Sequence, residues 1–273
     1  MSALLDHATQ QHAGGKMLSG KTDGVGLLVF NQPEKRNAMS VEMWGGLGEI
    51  LEDFGADETI RVVVMTGAGD KAFVSGADIS QFEKQRSNAD AQKEYDRLTS
   101  AGRVKLASFP KPVIARIRGF CMGGGLGIAM QADIRISADD GQFGIPAARL
   151  SIAYGFDMVR KLVDLVGPAQ ARLILFTGDR FDAKEAERFG LINKAVPVAE
   201  LDEAVLKIAR TIARNAPLSI HASKLSVAAA TQDKADRDMD AIRAASVTCF
   251  DSEDYKEGRT AFMEKRSPVF KGR

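Results

Sequence analysis

The chain has little of what builds metal centres, disulfide frameworks or histidine-based nucleophiles. Its 273 residues include two cysteines, Cys121 and Cys249, set far apart. They suggest neither a disulfide framework nor a zinc site, and a reducing, cytoplasmic setting is the expectation. The three histidines, His7, His12 and His221, lack metal-ligand spacing, so no metal is expected. Net charge is only +1, which argues against a nucleic-acid surface as the main business. There is no arginine-rich or aromatic-basic stripe of the kind that binds single strands. No apolar run is long enough for a membrane span, and the first residues lack a basic region followed by an apolar core.

What is present is ordinary globular composition, 45% hydrophobic and 27% charged. Residues 25–30, 61–66, 112–117 and 133–137 are short, apolar and β-branched, and read as strands. Helical stretches separate them. Ser40 is placed to cap the first, whose Met43, Leu47, Ile50, Leu51 and Phe54 recur at helical spacing. Residues 89–108 and 125–132 read as two more, and Asp182-Ala183-Lys184-Glu185 has the form of a capping box opening a helix that ends at Gly190. This alternation predicts an α/β fold. Beyond Pro197 strand signals stop, and 201–215, 218–230, 236–250 and 254–265 are helical in period. The expected organisation is a flexible segment over 1–20, an α/β core over 21–199 and a helical region over 200–273. Residues 6–21, polar and holding Gly14-Gly15, read as loose.

Two segments carry chemistry. Lys71-Ala72-Phe73-Val74-Ser75-Gly76-Ala77-Asp78-Ile79 and Arg118-Gly119-Phe120-Cys121-Met122-Gly123-Gly124-Gly125-Leu126-Gly127-Ile128 each follow a strand and place small residues at a turn. Such turns leave backbone N–H groups pointing outward, and two converging on one point bind an oxygen that becomes negative. A glycine triplet alone is a weak signal, equally consistent with close helix-strand packing. A phosphate loop fails on detail, because no Lys-Ser/Thr follows the glycines.

With Asn31-Gln32-Pro33-Glu34-Lys35-Arg36-Asn37-Ala38-Met39-Ser40 upstream, the set resembles the crotonase (enoyl-CoA hydratase/isomerase) family. The resemblance implies a spiral of ββα units with a helical C-terminal region that assembles a trimer, often paired into a hexamer. It implies an acyl-CoA substrate, coenzyme A entering as part of that substrate and no tightly bound cofactor. It assigns the oxyanion amides to Ser75 and Gly124. Lys35 and Arg36 match basic positions toward the coenzyme phosphates, and Ala38, Ala77, Asp78 and Ile79 match positions lining pantetheine and adenine. Phe262 and Lys265 match a segment serving the nucleotide end, across a subunit boundary in some relatives. Each basic residue taken alone reads as solvated surface charge.

The pattern departs from the family at two positions. The hydratases carry a glutamate two positions after the triplet and another after Phe-Gly-x-Pro. Here Gly127 and Ala147 stand there. Neither can act as acid or base, so ordinary hydration is not expected. Tyr154 and Asp157 are the candidate replacements. Tyr154 reads also as a loop side chain packing on the acyl pocket, and Asp157 also as a first-turn acid of the helix that follows. Arg149 is a candidate for meeting a substrate carboxylate. Three functions stay open: an enolate-stabilising hydratase or isomerase relative with non-standard acid/base groups, a decarboxylase of the same fold, and a non-catalytic acyl-CoA-binding protein.

Overall fold

The computed structural model describes residues 4–78 and 89–273. Eleven strands among these residues form two sheets. The larger takes β1 (Gln10–His12), β2 (Met17–Thr22), β3 (Val25–Phe30), β4 (Val62–Gly67), β6 (Val113–Ile117), β8 (Ile134–Ala138) and β11 (Lys194–Val196), in the order β1-β2-β3-β4-β6-β8-β11. The smaller takes β5 (Ala72–Val74), β7 (Phe120–Met122), β9 (Gln142–Gly144) and β10 (Phe181–Asp182), in the order β10-β9-β7-β5. From β3 to β11 the large sheet is parallel, and β5, β7 and β9 are parallel to one another. The chain therefore alternates, sending β4, β6 and β8 to the large sheet and β5, β7 and β9 to the small one. This is the expected crotonase-like spiral of ββα turns.

The strands read as unbroken apolar runs because both faces of the large sheet are covered. Every residue of β3 and β4 is buried. One face packs on α1 (Val41–Ala56), whose Met43, Leu47, Ile50, Leu51 and Phe54 all point inward as their spacing predicts. The other face packs on Leu201, Val205 and Ala209 of α6 (Leu201–Arg214). Burial of this kind contributes about 25 cal/mol per Å² of apolar surface.

The stretch over 6–21, read from composition as loose, carries β1 and β2 instead. β2 pairs antiparallel with β3 along its whole length, and Met17 is fully buried. Its Gly and Ser hide a half-buried alternation that tertiary pairing brings out. Ser40 occupies the N-cap position of α1, but its side chain makes no capping hydrogen bond. The Asp182 capping box forms as expected and opens α5 (Ala183–Arg188). The remaining helices are α2 (Ala89–Ala107), α3 (Gly124–Gln131), α4 (Phe156–Thr177), α7 (Pro217–Ala230), α8 (Met239–Asp251) and α9 (Glu253–Glu264). The last four segments after Pro197 are thus helical, as expected. Among the described residues no helix is long and apolar enough to cross a membrane.

Candidate active site

The site begins with two loops zipped together. Residues 36–39 run beside 75–78. Ser75 donates its N–H to Arg36 O (3.1 Å), Met39 donates to Gly76 O (2.8 Å) and Asp78 donates to Met39 O (2.9 Å). Met39 and Ala77 form a parallel bridge. In such pairing one residue faces the partner with neither of its backbone groups, and here that residue is Ala77. Its N–H therefore points away from the ladder. Asn37 secures the first loop. Fully buried, it accepts from Gln32 N–H and donates to the carbonyls of Ala68 and Ala72. Arg36 and Asn37 both take left-handed backbone, with φ of 53° and 55°.

The glycine triplet supplies the opposite wall. Gly123 has φ 50° and ψ −118°, a conformation that a side chain disfavours, and it serves as N-cap of α3. Gly125 packs directly on β5, where an added Cβ would sit 2.0 Å from Val74 O. Gly124 differs from both. A Cβ there would meet nothing nearer than Ala77 N, at 3.9 Å. Gly124 is the first residue of α3, so its N–H has no intrahelical acceptor and stands at the positive end of the helix. The two small-residue turns thus do converge. The amide facing Gly124 is that of Ala77, while the Ser75 N–H assigned by motif position is occupied by Arg36 O.

Lys35 reaches across the zip to Asp78, with Nζ 2.8 Å from Oδ2. Asp78 is 8% exposed at its side chain and Lys35 47%. The hydrogen bond and charge of Asp78 raise the Lys35 ammonium above its usual range. Arg36 lies over the Phe120 ring at 5.1 Å, and Arg180 over the same ring at 5.2 Å. Ala38 is buried. Ile79 lies outside the described residues.

Around Gly127 the structure is specific. A Cβ on Gly127 would stand 3.1 Å from the Tyr154 hydroxyl and 3.2 Å from Met158 Sδ. Tyr154 donates to Gly123 O at 3.1 Å and packs on the core. Burial pushes its phenol above its ordinary range, opposed in part by the charge of Arg103. It is therefore protonated at neutral pH. Asp157 is exposed in the first turn of α4, the position of a helix-start acid. Ala147 packs on the core in the short helical turn Pro146–Leu150. Arg149, a candidate for a substrate carboxylate, is paired with Asp179 and donates to Thr177 O (3.2 Å).

Phe262 and Lys265 belong to the helical region. Phe262, 83% exposed on α9, lines an apolar groove with Phe250, Tyr255 and Phe270. Lys265 ends α9 in left-handed backbone. Among the described residues no hydrogen bond or ring contact joins either to residues 35–39 or 75–78. Sequence reasoning missed the Ala77 amide and the Asn37 latch. The first was hidden because only strand pairing shows which amides are used. A buried asparagine inside the Lys-Arg-Asn-Ala turn was the available sign of the second, since Asn tolerates positive φ.

Residues 20–273 match the family model for enoyl-CoA hydratase/isomerase. The crotonyl-CoA hydratase of Syntrophomonas wolfei subsp. wolfei is 36% identical over 250 residues, 92% of this chain and 95% of that protein. The carnitinyl-CoA dehydratase of Citrobacter koseri is 34% identical over 251 residues, 90% of this chain and 94% of that one. Among solved structures, an enoyl-CoA hydratase/carnithine racemase from Magnetospirillum magneticum superposes with TM-score 0.91 at 34% identity, covering 98% of each chain.

Proposed function

The chain belongs to the enoyl-CoA hydratase/isomerase family, and on that premise we propose that it binds an acyl-CoA and stabilises its thioester enolate between the Ala77 and Gly124 amides. The observation that carries this reading is the approach of the Ala77 N–H to the open side of Gly124. When a thioester α-carbon becomes nucleophilic, negative charge moves onto the carbonyl oxygen. Two fixed donors, one of them at a helix N-terminus, favour that state over the neutral carbonyl. Loss of one such donor costs about 3 to 4 kcal/mol of transition-state stabilisation.

The acid/base part is non-standard in this proposal. Gly127 and Ala147 offer no carboxylate, and Tyr154 fills the space beside Gly127. A protonated phenol there can give a proton to an enolate carbon but is a poor base at neutral pH. Asp157, exposed on α4, is not assigned a role. That protonation state favours a second reading, decarboxylation, in which loss of carbon dioxide leaves its electron pair on the α-carbon and no protein base is required. Tyr154 would then supply the proton that completes the product. On either reading coenzyme A is part of the substrate, Lys35 and Arg36 meet its phosphates, and the C-terminal helices carry a homotrimer or hexamer.

The test pairs binding with turnover. Calorimetry with acetyl-CoA should show micromolar affinity in the wild type. A panel of enoyl-, hydroxyacyl- and malonyl-type thioesters should show turnover that Gly124→Ala removes. Binding without turnover on any of them would leave a non-catalytic acyl-CoA-binding protein, and no binding would overturn the proposal.

A further inference from the structure

The register of the zip between residues 36–39 and 75–78 decides which amide faces Gly124. Met39 donates to Gly76 O and accepts from Asp78 N–H, so Ala77, between those two, keeps its N–H outside the ladder. A slip by one residue would draw the Ala77 N–H into the ladder and turn its neighbour's out. The backbone offers little against such a slip. The paired stretch is short, and its second loop holds Gly76 at φ 122°, in the residue whose backbone is least restricted.

Asn37 and Lys35 bear on the zip in different ways. Asn37 binds Gln32, Ala68 and Ala72, so it ties the first loop to its own surroundings and not to 75–78. Lys35 reaches the second loop, with Nζ 2.8 Å from Asp78 Oδ2. One partner stands just before the paired stretch and the other at its far end, so the bond spans the zip. Neighbouring side chains of an extended segment point to opposite faces, and a slip by one residue would carry the Asp78 carboxylate away from Lys35. The ion pair therefore fits one register. The Asp78 side chain is 8% exposed. Desolvation of such a carboxylate offsets much of its attraction to the ammonium, which makes the pair a weak source of stability. Fixing register is the best-attested use of pairs of this kind.

We propose that Asp78 is a positioning residue: through Lys35 it fixes the register of the zip, and with it the Ala77 N–H as the second donor to the thioester oxygen beside Gly124. This rests on the acyl-CoA reading above. Asp78 acts through Lys35 and the ladder, not on the reacting atoms. A donor misplaced by one residue no longer meets the oxygen, so the pair should govern how strongly the bound carbonyl is polarised.

The experiment reads the donors without need of turnover. Acetyl-CoA isotope-labelled at the thioester carbonyl carbon is bound at saturation, and its carbonyl stretch is followed by difference infrared spectroscopy. Two fixed donors polarise the C=O bond, so the wild type should move the band to lower frequency than in water. Asp78→Asn removes the charge and keeps the size. It should cut that displacement to about half or less, as one of two donors is lost. Asp78→Glu keeps the charge and should retain most of the displacement. Lys35→Met breaks the same pair from its half-exposed partner and serves if Asp78→Asn does not fold. Combined with Asp78→Asn it should add no further loss. Any thioester that the wild type turns over should lose kcat by about 10- to 100-fold in Asp78→Asn. A brace of stability alone would lower the urea midpoint of Asp78→Asn and leave the bound carbonyl band where the wild type puts it. That result overturns this inference and leaves the acyl-CoA reading standing. A bound wild type with no displaced band overturns the enolate reading and this inference with it. Absence of acetyl-CoA binding overturns both as well.

Discussion

The Tyr154 hydroxyl stands 3.1 Å from the point where a side chain on Gly127 would begin, and the same hydroxyl donates to Gly123 O. The glycine is thus part of a repacked corner in which a phenol from the loop before α4 takes the space over α3. Restoring carboxylates alone should not restore hydration. Gly127→Glu with Ala147→Glu is expected to hydrate crotonyl-CoA little faster than the wild type. Adding Tyr154→Ala should release the corner and raise the rate by about tenfold or more, within the range of one acid/base group. Steady-state hydration assays decide it. A wild type working at about 10 per second would show that the missing carboxylates do not matter.

Neighbouring glycines should fail differently. Gly125→Ala places a methyl 2.0 Å from Val74 O, which forces α3 off β5. A destabilisation of about 3 kcal/mol or more is expected by urea unfolding. Gly124→Ala puts its methyl in open space toward Ala77 N. It should keep stability within about 1 kcal/mol and lose acyl-CoA turnover. A stable, active Gly124→Ala protein would remove the oxyanion assignment.

Alkaline pH should unfold the protein through two buried acids. Burial pushes both the Cys121 thiol and the Tyr154 phenol above their ordinary values. Each is held neutral in the folded state, so its contribution is full below the unfolded pKa. It is lost as pH rises above that value, beginning near 9 for the thiol and 10 for the phenol. For one such group the slope approaches about 1.4 kcal/mol per pH unit. Urea titrations from pH 7 to 11 should show falling stability above pH 9. Cys121→Ala should flatten the onset, and Tyr154→Phe the steeper part above pH 10.

The C-terminal helices expose Phe250, Phe262 and Met263, which a lone chain in water does not favour. A trimer, or a multiple of one, should appear in light scattering at micromolar concentration. Phe262→Asp should weaken that assembly. A monomer throughout would argue that these side chains have another purpose.

The alternation of strands and helices and the change to helices after Pro197 were legible from periodicity, because each element shows its buried face in the spacing of its apolar residues. So were the two small-residue turns, since Gly123 and Gly125 stand where a side chain is disfavoured or has no room. Composition misled over 6–21, where β2 depends on β3 for its hydrogen bonds and carries little pattern of its own. Which amide faces Gly124 was not readable. Ser75, Gly76 and Ala77 are alike in size, and only the ladder with residues 36–39 decides which N–H is left over. Nor could local sequence join Tyr154 to Gly123 and Gly127, which lie about thirty residues away in the chain. Sequence by itself determined the elements and the turns, because those are set by neighbouring residues. Tertiary structure decided which amides are left over and what fills the corner beside Gly127, because those depend on contacts between residues distant in the chain.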